Sequence, residues 1–464
     1  MSTLADRYAS PAMKEIWSAQ SKILAERKLW IAVMRFQSKA LSIPESATTD
    51  YEKVAAKIDL ASIEKREKEL RHDVKARIDE FNALAGHQFI HLGMTSRDLT
   101  ENIEAFQIRQ SLLLVQVRTA ALLYQLSEKA KQYAELPIVA RSHNVPAQLT
   151  TLGKKFANVG EELLFAFARL NNLIDRYPNR GIKGPVGTSQ DSLDLLGADS
   201  AALEKFIAKE LGFTNTLDST GQIYPRSFDL DVVSALTQIA AAPSNLATSI
   251  RLMAGHVLVS EGFKSGQVGS SAMPHKMNSR SCERINGLTK VLTGYLTMIA
   301  QISGDQWNEG DISDSVVRRV ALSDAFFALD GIIETTLTVL NEFGIFENRI
   351  NNEIQEELPF IATTKILLAA VKNGAGRESA HEALKELSIK ALLARQNGQP
   401  VSLISDIAAD SRIPLDQAAL DALLKKSSEF IGDAPAQCAR INARITEAIA
   451  PFAGAKSYRP TEIR

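Results

Sequence analysis

Residues 281–305 read SCERINGLTKVLTGYLTMIAQISGD, and their apolar side chains recur at steps of three and one. This spacing places the apolar side chains along one stripe of a long α-helix. The stripe comprises Ile285, Leu288, Val291, Leu292, Tyr295, Leu296, Ile299 and Ile302. The segment therefore predicts a helix that buries one face against its neighbours.

The same period continues on both sides of this segment, at residues 101–132, 154–176, 228–262 and 318–343. Within 228–262, Pro243 is expected to kink or break the helix. The preceding alanines, Ala240–Ala242, fit a boundary between two shorter helices equally well. Patterns typical of β-strands are nearly absent. The sequence predicts an all-α fold around a tightly packed bundle of long helices.

A chain of 464 residues is long enough for two to four domains. Candidate boundaries lie where turn-forming residues gather or the long helical segments end, at residues 86–95, 179–188, 262–279 and 346–352. We therefore predict an N-terminal helical domain (1–97), a central long-helix bundle (98–348) and a C-terminal helical domain (349–464).

The overall charge of the chain is close to zero. Lys and Arg number 53 and Asp and Glu 54, which gives a formal net charge of −1. A near-neutral total provides no broad attraction to nucleic acid or to an anionic membrane, so we expect neither as a partner. The hydrophobic content of 45% is far above that of a disordered chain. The composition indicates a globular protein.

The cysteine content indicates a reducing compartment. Cys282 and Cys438 are the only cysteines, so a disulfide framework is excluded. No apolar run reaches the roughly 18 residues needed to cross a bilayer. The segment from Met1 to Trp17 is charged and has no apolar centre, so it does not resemble a signal peptide. We expect a cytoplasmic protein.

Residues 264–284, KSGQVGSSAMPHKMNSRSCER, precede the long helix of 281–305 and hold the candidate chemistry. Glycines at 266 and 269 permit positive φ, and Pro274 disfavours a helix just before it, so a loop is expected. Lys276 and Arg280 can bind anionic groups, and Asn278 can donate an amide hydrogen bond. Composition alone fits a Gly/Ser surface loop with solvated charges at least as well.

No metal or organic cofactor is predicted. His275 and Cys282 have no partners at the spacing that metal ligands require. Gly269-Ser270-Ser271-Ala272 is neither a phosphate-binding loop nor a nucleophile elbow.

Residues 269–278, GSSAMPHKMN, resemble the signature loop of the fumarase/aspartase superfamily, and most closely that of its adenylosuccinate lyase family. Members of the superfamily are all-α homotetramers that eliminate fumarate from a C–N or C–O bond. The resemblance implies a three-domain fumarase/aspartase-like fold and a homotetramer with shared active sites. It implies cleavage of adenylosuccinate to AMP, and of the ribotide SAICAR to AICAR, in purine biosynthesis. The implied partners are purine nucleotide substrates.

Motifs along nearly the whole chain carry the same resemblance. They are Arg7-Tyr8, Arg71-His72-Asp73, residues 91–98 (HLGMTSRD), Arg141-Ser142-His143, Thr220-Gly221-Gln222, Ser315 with Arg319, and residues 362–381. The substrate-binding residues that it implies are Arg7, Tyr8, Arg71, His72, Asp73, His91, Thr95, Ser96, Gln222, Lys276, Asn278, Ser315 and Arg319. Thr95 with Asp98 also fits a helix capping box, and His72 and His91 also fit packing or capping roles.

Cleavage of a succinyl C–N bond requires a base on one face and an acid that protonates the departing nitrogen on the other. By resemblance, Ser270 is the base and His143 the acid, although the residues alone do not exclude Ser271 as the base. Glu283 is the expected partner of His143, which would fix the tautomer of the imidazole. It also fits a first-turn glutamate that the helix dipole favours.

The sequence departs from the family pattern at two positions. Ser279 replaces a proline after the signature Asn278, which alters loop stiffness more than chemistry. Gly310 replaces an arginine that binds substrate in the family. Arg318, Arg319 or an arginine of another subunit is expected to bind that anion instead.

Two alternative functions stay open at this point. One is another lyase of the superfamily, such as an argininosuccinate lyase. The other is a non-catalytic helical scaffold that has kept the fold. Retention of Ser270, His143, Lys276, Asn278 and Glu283 together argues against the scaffold.

Overall fold

Helices account for most of the residues that the computed structural model describes, which are 2–262, 273, 275–311 and 313–463. This confirms the all-α prediction. The N-terminal part consists of short helices around one longer helix. These are α1 (Thr3–Tyr8), α2 (Pro11–Ile16), α3 (Ala19–Gln37), α4 (Glu45–Val54), α5 (Leu60–Leu70) and α6 (Asp73–Ala85).

Serine side chains begin the first three helices. Ser2, Ser10 and Ser18 each accept a hydrogen bond from a backbone N–H in the first turn of the helix that follows. Such caps satisfy amides that have no partner inside a helix. They fix where these helices begin, and Arg7 and Tyr8 lie in the last turn of α1, between the caps of α1 and α2.

Long helices form the centre of the molecule. They and the shorter helices between them are α7 (Ser96–Gln132), α8 (Leu152–Arg176), α9 (Gln190–Leu196), α10 (Ser200–Glu210), α11 (Ser227–Gly255), α12 (Arg280–Ile302) and α13 (Ser313–Glu342). Helix α12 packs on both α11 and α13, and α7 packs on α8. The long helices expected from the apolar period are therefore present, but α7 and α13 each begin five residues earlier than the period indicated.

Helix α11 runs without a break through Pro243. Proline has no N–H, so the carbonyl of Ile239 loses its usual helical partner. The flanking side chains of Ile239, Ala242 and Leu246 are almost completely buried. Because this packing holds both halves of the helix in line, the expected break into two helices does not occur.

A small β-hairpin departs from the helical pattern. Strand β1 (Pro137–Ser142) pairs antiparallel with β2 (Val145–Thr151), with Ser142 opposite Val145. A second short pair joins β3 (Val259–Ser260) to β4 (Gly344–Ile345). The first pair matters for function because its turn carries His143.

The C-terminal part contains a hydrophobic core of its own. Its helices are α14 (Glu347–Ile361), α15 (Thr363–Lys372), α16 (Arg377–Gln396), α17 (Leu403–Ala409), α18 (Gln417–Leu424) and α19 (Ala434–Ile449). Buried side chains between Ala362 and Leu420 form this core, whereas α19 returns to pack on α7 and α8. The N-terminal helices share the large core of the bundle. The boundaries of the three domains stay a prediction.

A buried ionic cluster ties both ends of the described chain to α13. Arg118 of α7 forms ion pairs with Asp330 and Glu334, one turn apart on α13. Asp330 accepts a hydrogen bond from the backbone N–H of Ser10 (2.7 Å), and Glu334 accepts one from the N–H of Thr461 (2.6 Å). Removing Arg118 would leave both buried carboxylates without their ion-pair partner.

No helix in the described part of the chain is both long enough and apolar enough to cross a bilayer.

Candidate active site

Helix α1 places Tyr8 against the bundle, with arginines on both sides. The backbone of Tyr8 approaches α13 closely, since a Cβ atom at Gly331 would lie 2.8 Å from the Tyr8 carbonyl oxygen. The guanidinium carbons of Arg7 and Arg284 lie 6.0 and 5.8 Å from the centre of the Tyr8 ring. Burial lowers the pKa of Arg284, and the nearby charges of Arg280 and Arg7 lower it further.

This arginine cluster (Arg7, Arg280 and Arg284) beside a phenol suits an anion such as a phosphate, because guanidinium groups bind oxyanions through several N–H donors. Arg284 was not predicted as a site residue. The sequence did contain an indication of its role, because Arg284 follows Arg280 by four residues and residues four apart share a helix face.

The Arg71-His72-Asp73 motif forms the junction between α5 and α6. Arg71 ends α5 in the left-handed region (φ 52°), and the His72 Nδ1 atom accepts the N–H of Lys75 at 3.2 Å. The capping role considered for His72 is therefore confirmed, and its Nε2 atom stays available. Burial would raise the pKa of Asp73, but Arg77 at 3.2 Å lowers it below the usual value. Asp73 is therefore a carboxylate at neutral pH.

His91 is a neutral hydrogen-bond donor. Its Nδ1 atom accepts the indole N–H of Trp30 at 2.9 Å, so the proton of the neutral ring lies on Nε2. Burial lowers the pKa of His91 from 6.5 to about 4; the Asp98 carboxylate opposes this shift, and the electrostatic effects of His72 and Lys75 act with it. This coupling places His91 near His72. The packing role considered for His91 is present, and it leaves Nε2–H free to donate.

The predicted capping box at the start of α7 is confirmed. Asp98 accepts the backbone N–H of Thr95 at 2.8 Å, and Ser96 is the first helical residue. The same buried carboxylate accepts the N–H of Lys183 (2.8 Å) and pairs with Arg180. Asp98 therefore fixes the 180–184 loop to the start of α7.

Arg97, next to Asp98, reaches another predicted site residue. Its Nη2 atom donates to the Ser315 hydroxyl at 3.0 Å, and its Nη1 atom pairs with Glu101 at 3.0 Å. This contact joins the starts of α7 and α13. Arg97 was an unassigned position in the sequence motif, so its role could not be predicted.

Glycines allow the loops around Gln222 to approach closely. The N–H of Gln222 donates to the carbonyl of Glu309 at 2.7 Å. A Cβ atom at Gly221 would lie 2.5 Å from the same carbonyl oxygen, and one at Gly187 would lie 1.8 Å from that of Thr220. No side chain fits at either position without moving the backbone.

Gly310 also lies against this loop. Its φ of 151° lies in the range that favours glycine, and a Cβ atom there would be 3.3 Å from the Cβ atom of Gln222. An arginine at position 310 would therefore require a different backbone. The local backbone conformation therefore suits the glycine that stands here in place of the family arginine.

Arg318 does not fit the compensating role considered for it. Its guanidinium group is 3% exposed and pairs with Asp229 at 2.7 Å and Glu104 at 2.6 Å. It also donates to the hydroxyl of Tyr224. With its N–H groups engaged inside the protein, Arg318 holds α7, α11 and α13 together, whereas Arg319 is exposed.

His143 lies at the tip of the β1–β2 hairpin. His143 and Asn144 form the two-residue turn with φ of 52° and 65°, the positive values of a type I′ turn. Both residues are exposed, and Arg141 at the base of the turn pairs with Glu353 of α14. The hairpin therefore presents the imidazole outward from a fixed base.

Glu283 lies in the first turn of α12, as expected, and its side chain is 57% exposed. The guanidinium group of Arg251 lies 4.0 Å from the Glu283 carboxylate. Within the described residues of one chain, no hydrogen bond joins Glu283 to His143. Lys276 is exposed and Asn278 partly buried ahead of the helix. Ser270 lies outside the described residues.

One chain thus brings together some of the predicted site residues. Tyr8 lies with Arg7 and Arg284, His72 lies near His91, and Ser315 contacts the start of α7. In the part of the chain that the structure describes, no hydrogen bond or ion pair joins His143 to Glu283. Among the described residues, no group of three or more His, Cys, Asp or Glu side chains is arranged to hold a metal ion.

Comparison with known proteins gives a match along almost the full length. The chain is 33% identical to adenylosuccinate lyase of Schizosaccharomyces pombe, over 97% of this chain and 95% of that protein. The chain belongs to the adenylosuccinate lyase family. The Saccharomyces cerevisiae adenylosuccinate lyase is 32% identical, with the same coverage of both chains.

Family models agree with this placement. The model described as Lyase matches residues 9–294, and the one described as adenylosuccinate lyase C-terminus matches residues 359–441. The first model covers the N-terminal helices from α2 and the bundle as far as α12, and the second covers most of the C-terminal part. Arg7 and Tyr8 lie just before the first matched segment.

Solved structures show the same fold. The 3-carboxy-cis,cis-muconate lactonizing enzyme of Pseudomonas putida superposes with a TM-score of 0.83 at 21% identity, covering 96% of this chain and 99% of that one. A fumarate lyase from Mesorhizobium gives 0.80 at 20% identity, covering 94% and 98%. At these identities the likeness concerns the fold alone.

Proposed function

We propose that this protein is a carbon–nitrogen lyase that cleaves adenylosuccinate to AMP and fumarate, and SAICAR to AICAR and fumarate. The observation that carries the proposal is the relationship to adenylosuccinate lyases, which extends over 97% of the chain. The arginine cluster beside Tyr8 adds support, because an AMP-forming site must bind a phosphate.

The proposed chemical roles are those that the family resemblance implies. Ser270 removes the proton next to a succinyl carboxylate, and His143 protonates the departing purine nitrogen. Lys276 and Asn278 stabilise the charge that develops on the carboxylate. Glu283 orients the imidazole of His143 and favours its protonated form. The protein supplies acid, base and anion-binding groups, and the reaction is expected to need no cofactor.

The remaining residues bind and orient the substrate. Arg7, Tyr8, Ser315 and Arg319 are assigned to its anionic groups. Neutral His91 donates from Nε2, and Asp73 accepts as a carboxylate. These roles use the protonation states that burial and ion pairing favour at neutral pH. Arg71, His72, Thr95, Ser96 and Gln222 complete the proposed set.

The active site is proposed to form between subunits of a homotetramer. His143 lies on an exposed hairpin tip and Glu283 on an exposed face of α12, with no contact between them inside one chain. A second copy that places its hairpin over α12 would bring them together, as the isologous interfaces of symmetric oligomers allow. A cytoplasmic location is also proposed, supported by two cysteines that are both free and buried.

Fumarate release provides the direct test of the reaction. Purified protein is incubated with adenylosuccinate, SAICAR or argininosuccinate, and the fumarate formed is measured. We expect turnover of the two purine substrates and none of argininosuccinate. Turnover of argininosuccinate alone would replace the proposal with the other lyase activity, and no turnover of any substrate would favour the scaffold. Separate Ser270→Ala and Ser271→Ala variants identify the base, since only the first should be inactive.

Mixing two inactive variants tests the shared site. His143→Gln and Ser270→Ala proteins are purified, dissociated together and reassembled. If each site takes these residues from different subunits, random assembly restores both residues in about one quarter of the sites. Recovery of about that share of wild-type turnover is expected. Mixtures that stay inactive would place both residues in the same subunit.

A further inference from the structure

The contact between Arg97 and Ser315 lies where two long helices begin. Arg97 is the second residue of α7 and Ser315 the third of α13. The Nη2 atom of Arg97 donates to the Ser315 hydroxyl oxygen at 3.0 Å. The Arg97 side chain is 14% exposed, and Ser315 is partly buried. Both side chains therefore lie at the edge of the interior, where a ligand can reach them.

The direction of this hydrogen bond fixes what Ser315 offers to a ligand. A hydroxyl group has one O–H donor and two acceptor lone pairs, whereas a guanidinium group has no acceptor. Arg97 occupies a lone pair, and the Ser315 O–H donates to no residue that the structure describes. The hydroxyl is left to donate outward. A donor suits an oxyanion and not a cation or an N–H group.

Arg97 shares its carboxylate partner with two buried arginines. Glu101 is completely buried and also pairs with Arg226, at 2.8 and 3.0 Å to the two carboxylate oxygens, and with Arg318 at 3.9 Å. Arg226 has a second carboxylate, Asp314, and Arg318 has two others. Among the described residues, the shared carboxylate of Glu101 is the one ion-pair partner of Arg97.

Positions 310 and 318 supply no charge that a ligand can reach. Gly310 has no side chain and no room for one, and Arg318 is occupied inside the bundle. Of the arginines engaged in this ionic network, Arg226 and Arg318 are 2% and 3% exposed, against 14% for Arg97. Arg97 is the member of the network that a ligand can contact.

We propose that Arg97 and Ser315 together form a subsite for an anionic oxygen of the substrate, with Arg97 supplying the charge and setting Ser315 as a donor. This inference rests on the proposed lyase activity and extends it to a residue outside the family motif. The anion is either the nucleotide phosphate or a succinyl carboxylate, which share the chemistry of the site. Products that contain each group alone distinguish the two.

The experiment compares Arg97→Met and Arg97→Lys with the control Arg109→Met. Arg109 lies on the same helix and stacks on Phe213 at 5.6 Å, away from Ser315. Steady-state kinetics with adenylosuccinate are expected to show a rise in KM of about 10- to 100-fold for Arg97→Met, with kcat changed less than about threefold. Arg97→Lys keeps the charge and should show a smaller rise. Arg109→Met should match the wild type.

Inhibition by products identifies the anion. If the subsite binds phosphate, Arg97→Met weakens inhibition by AMP about as much as it raises KM, and inhibition by adenosine is unchanged. If it binds a carboxylate, inhibition by fumarate weakens instead. Ser315→Ala should weaken substrate binding less in the Arg97→Met protein than in the wild type. The reason is that the two side chains act as a unit, so the loss of one removes part of the effect of the other.

Two results would overturn the subsite. One is a KM for Arg97→Met within about twofold of that for Arg109→Met; the other is a full additive loss in the double variant. Calorimetry measures the affinity of the same variants for AMP, adenosine and fumarate, and it does so even if the wild-type protein turns over no substrate. The subsite and the lyase activity can therefore fail independently of each other. If Arg97→Met does not assemble, Arg97→Lys decides by the same comparisons.

Discussion

The pairing of Trp30 with His91 predicts a specific loss of stability in acid. The buried indole N–H donates to Nδ1 of His91, and burial lowers the pKa of this histidine from 6.5 to about 4. In the unfolded chain the ring regains its ordinary pKa. The folded state therefore binds fewer protons between the two values. The stability that His91 contributes is present above pH 6.5 and is lost as the pH falls toward 4.

The size of the effect follows from these two pKa values. At pH 5 the unfolded histidine is mostly protonated and the folded one mostly neutral, which favours unfolding about 30-fold, or about 2 kcal/mol. At pH 7.5 the corresponding term is below about 0.1 kcal/mol. His91 alone should therefore remove about 2 kcal/mol of stability between these conditions.

His91→Asn provides the matched control. Asparagine tolerates the φ of 66° found at this position and offers a carbonyl oxygen to Trp30 in place of Nδ1, but it does not titrate. Urea unfolding of both proteins is followed at pH 7.5 and 5, at one fixed protein concentration because the proposed subunit association would contribute to stability. The wild type should lose about 2 kcal/mol more than the variant. Equal losses in the two proteins would refute the assignment of a neutral, buried His91.

Three further substitutions test other parts of the structure. Gly221→Ala places a Cβ atom 2.5 Å from the Glu309 carbonyl oxygen, so it should lower the free energy of unfolding in urea by about 1–3 kcal/mol. The control Gly255→Ala has open space around its Cβ and should cause no measurable loss. Equal stability of the two variants would contradict the close approach at Gly221. Arg118→Met leaves Asp330 and Glu334 without their buried partner and should lower the free energy of unfolding by about 3–5 kcal/mol. A change below about 1 kcal/mol would show that the ionic cluster does not stabilise the fold. Asn144→Val puts a β-branched residue at a φ of 65° and should lower kcat by disturbing the His143 turn, while Asn144→Gly should keep it; similar kcat values for both would show that the turn does not orient the imidazole.

The helical fold could be predicted because burial imposes a period on the sequence. The stripe beginning at Ile285 gave α12 to within a few residues. The starts of α7 and α13 were placed too late, since their first turns contain polar residues such as Asp98 and Asp314 that are buried by ion pairs. Hydropathy alone does not distinguish a buried charge from an exposed one.

The β1–β2 hairpin was missed for a different reason. Its two-residue turn consists of His143 and Asn144, which lacks the glycine that usually marks a type I′ turn. Asparagine between short β-branched stretches was the available signal. Pro243 led to the opposite error, a predicted break in a helix that is continuous. The packing of Ile239 and Leu246 outweighs the hydrogen bond that proline cannot form.

The candidate site was predicted as a set of residues but not as an arrangement. Resemblance supplied Tyr8 and Ser315, whereas their partners Arg284 and Arg97 come from segments distant in sequence and emerge only from the packing of helices. The pairing of His143 with Glu283 could not be tested within one chain, since each side chain points outward.

The ionic cluster around Arg118 also couples the two ends of the described chain. Ser10 and Thr461 attach to carboxylates one helical turn apart, and the carbonyl of Ile463 accepts a hydrogen bond from Arg284, which faces Tyr8. Fraying of the C-terminal tail therefore uncovers Glu334 and loosens the anchor of the N-terminal helices at the same time. Amide hydrogens of both ends should exchange with solvent as one cooperative unit, and the arginine cluster beside Tyr8 would lose its contact with the C-terminal tail whenever that unit opens.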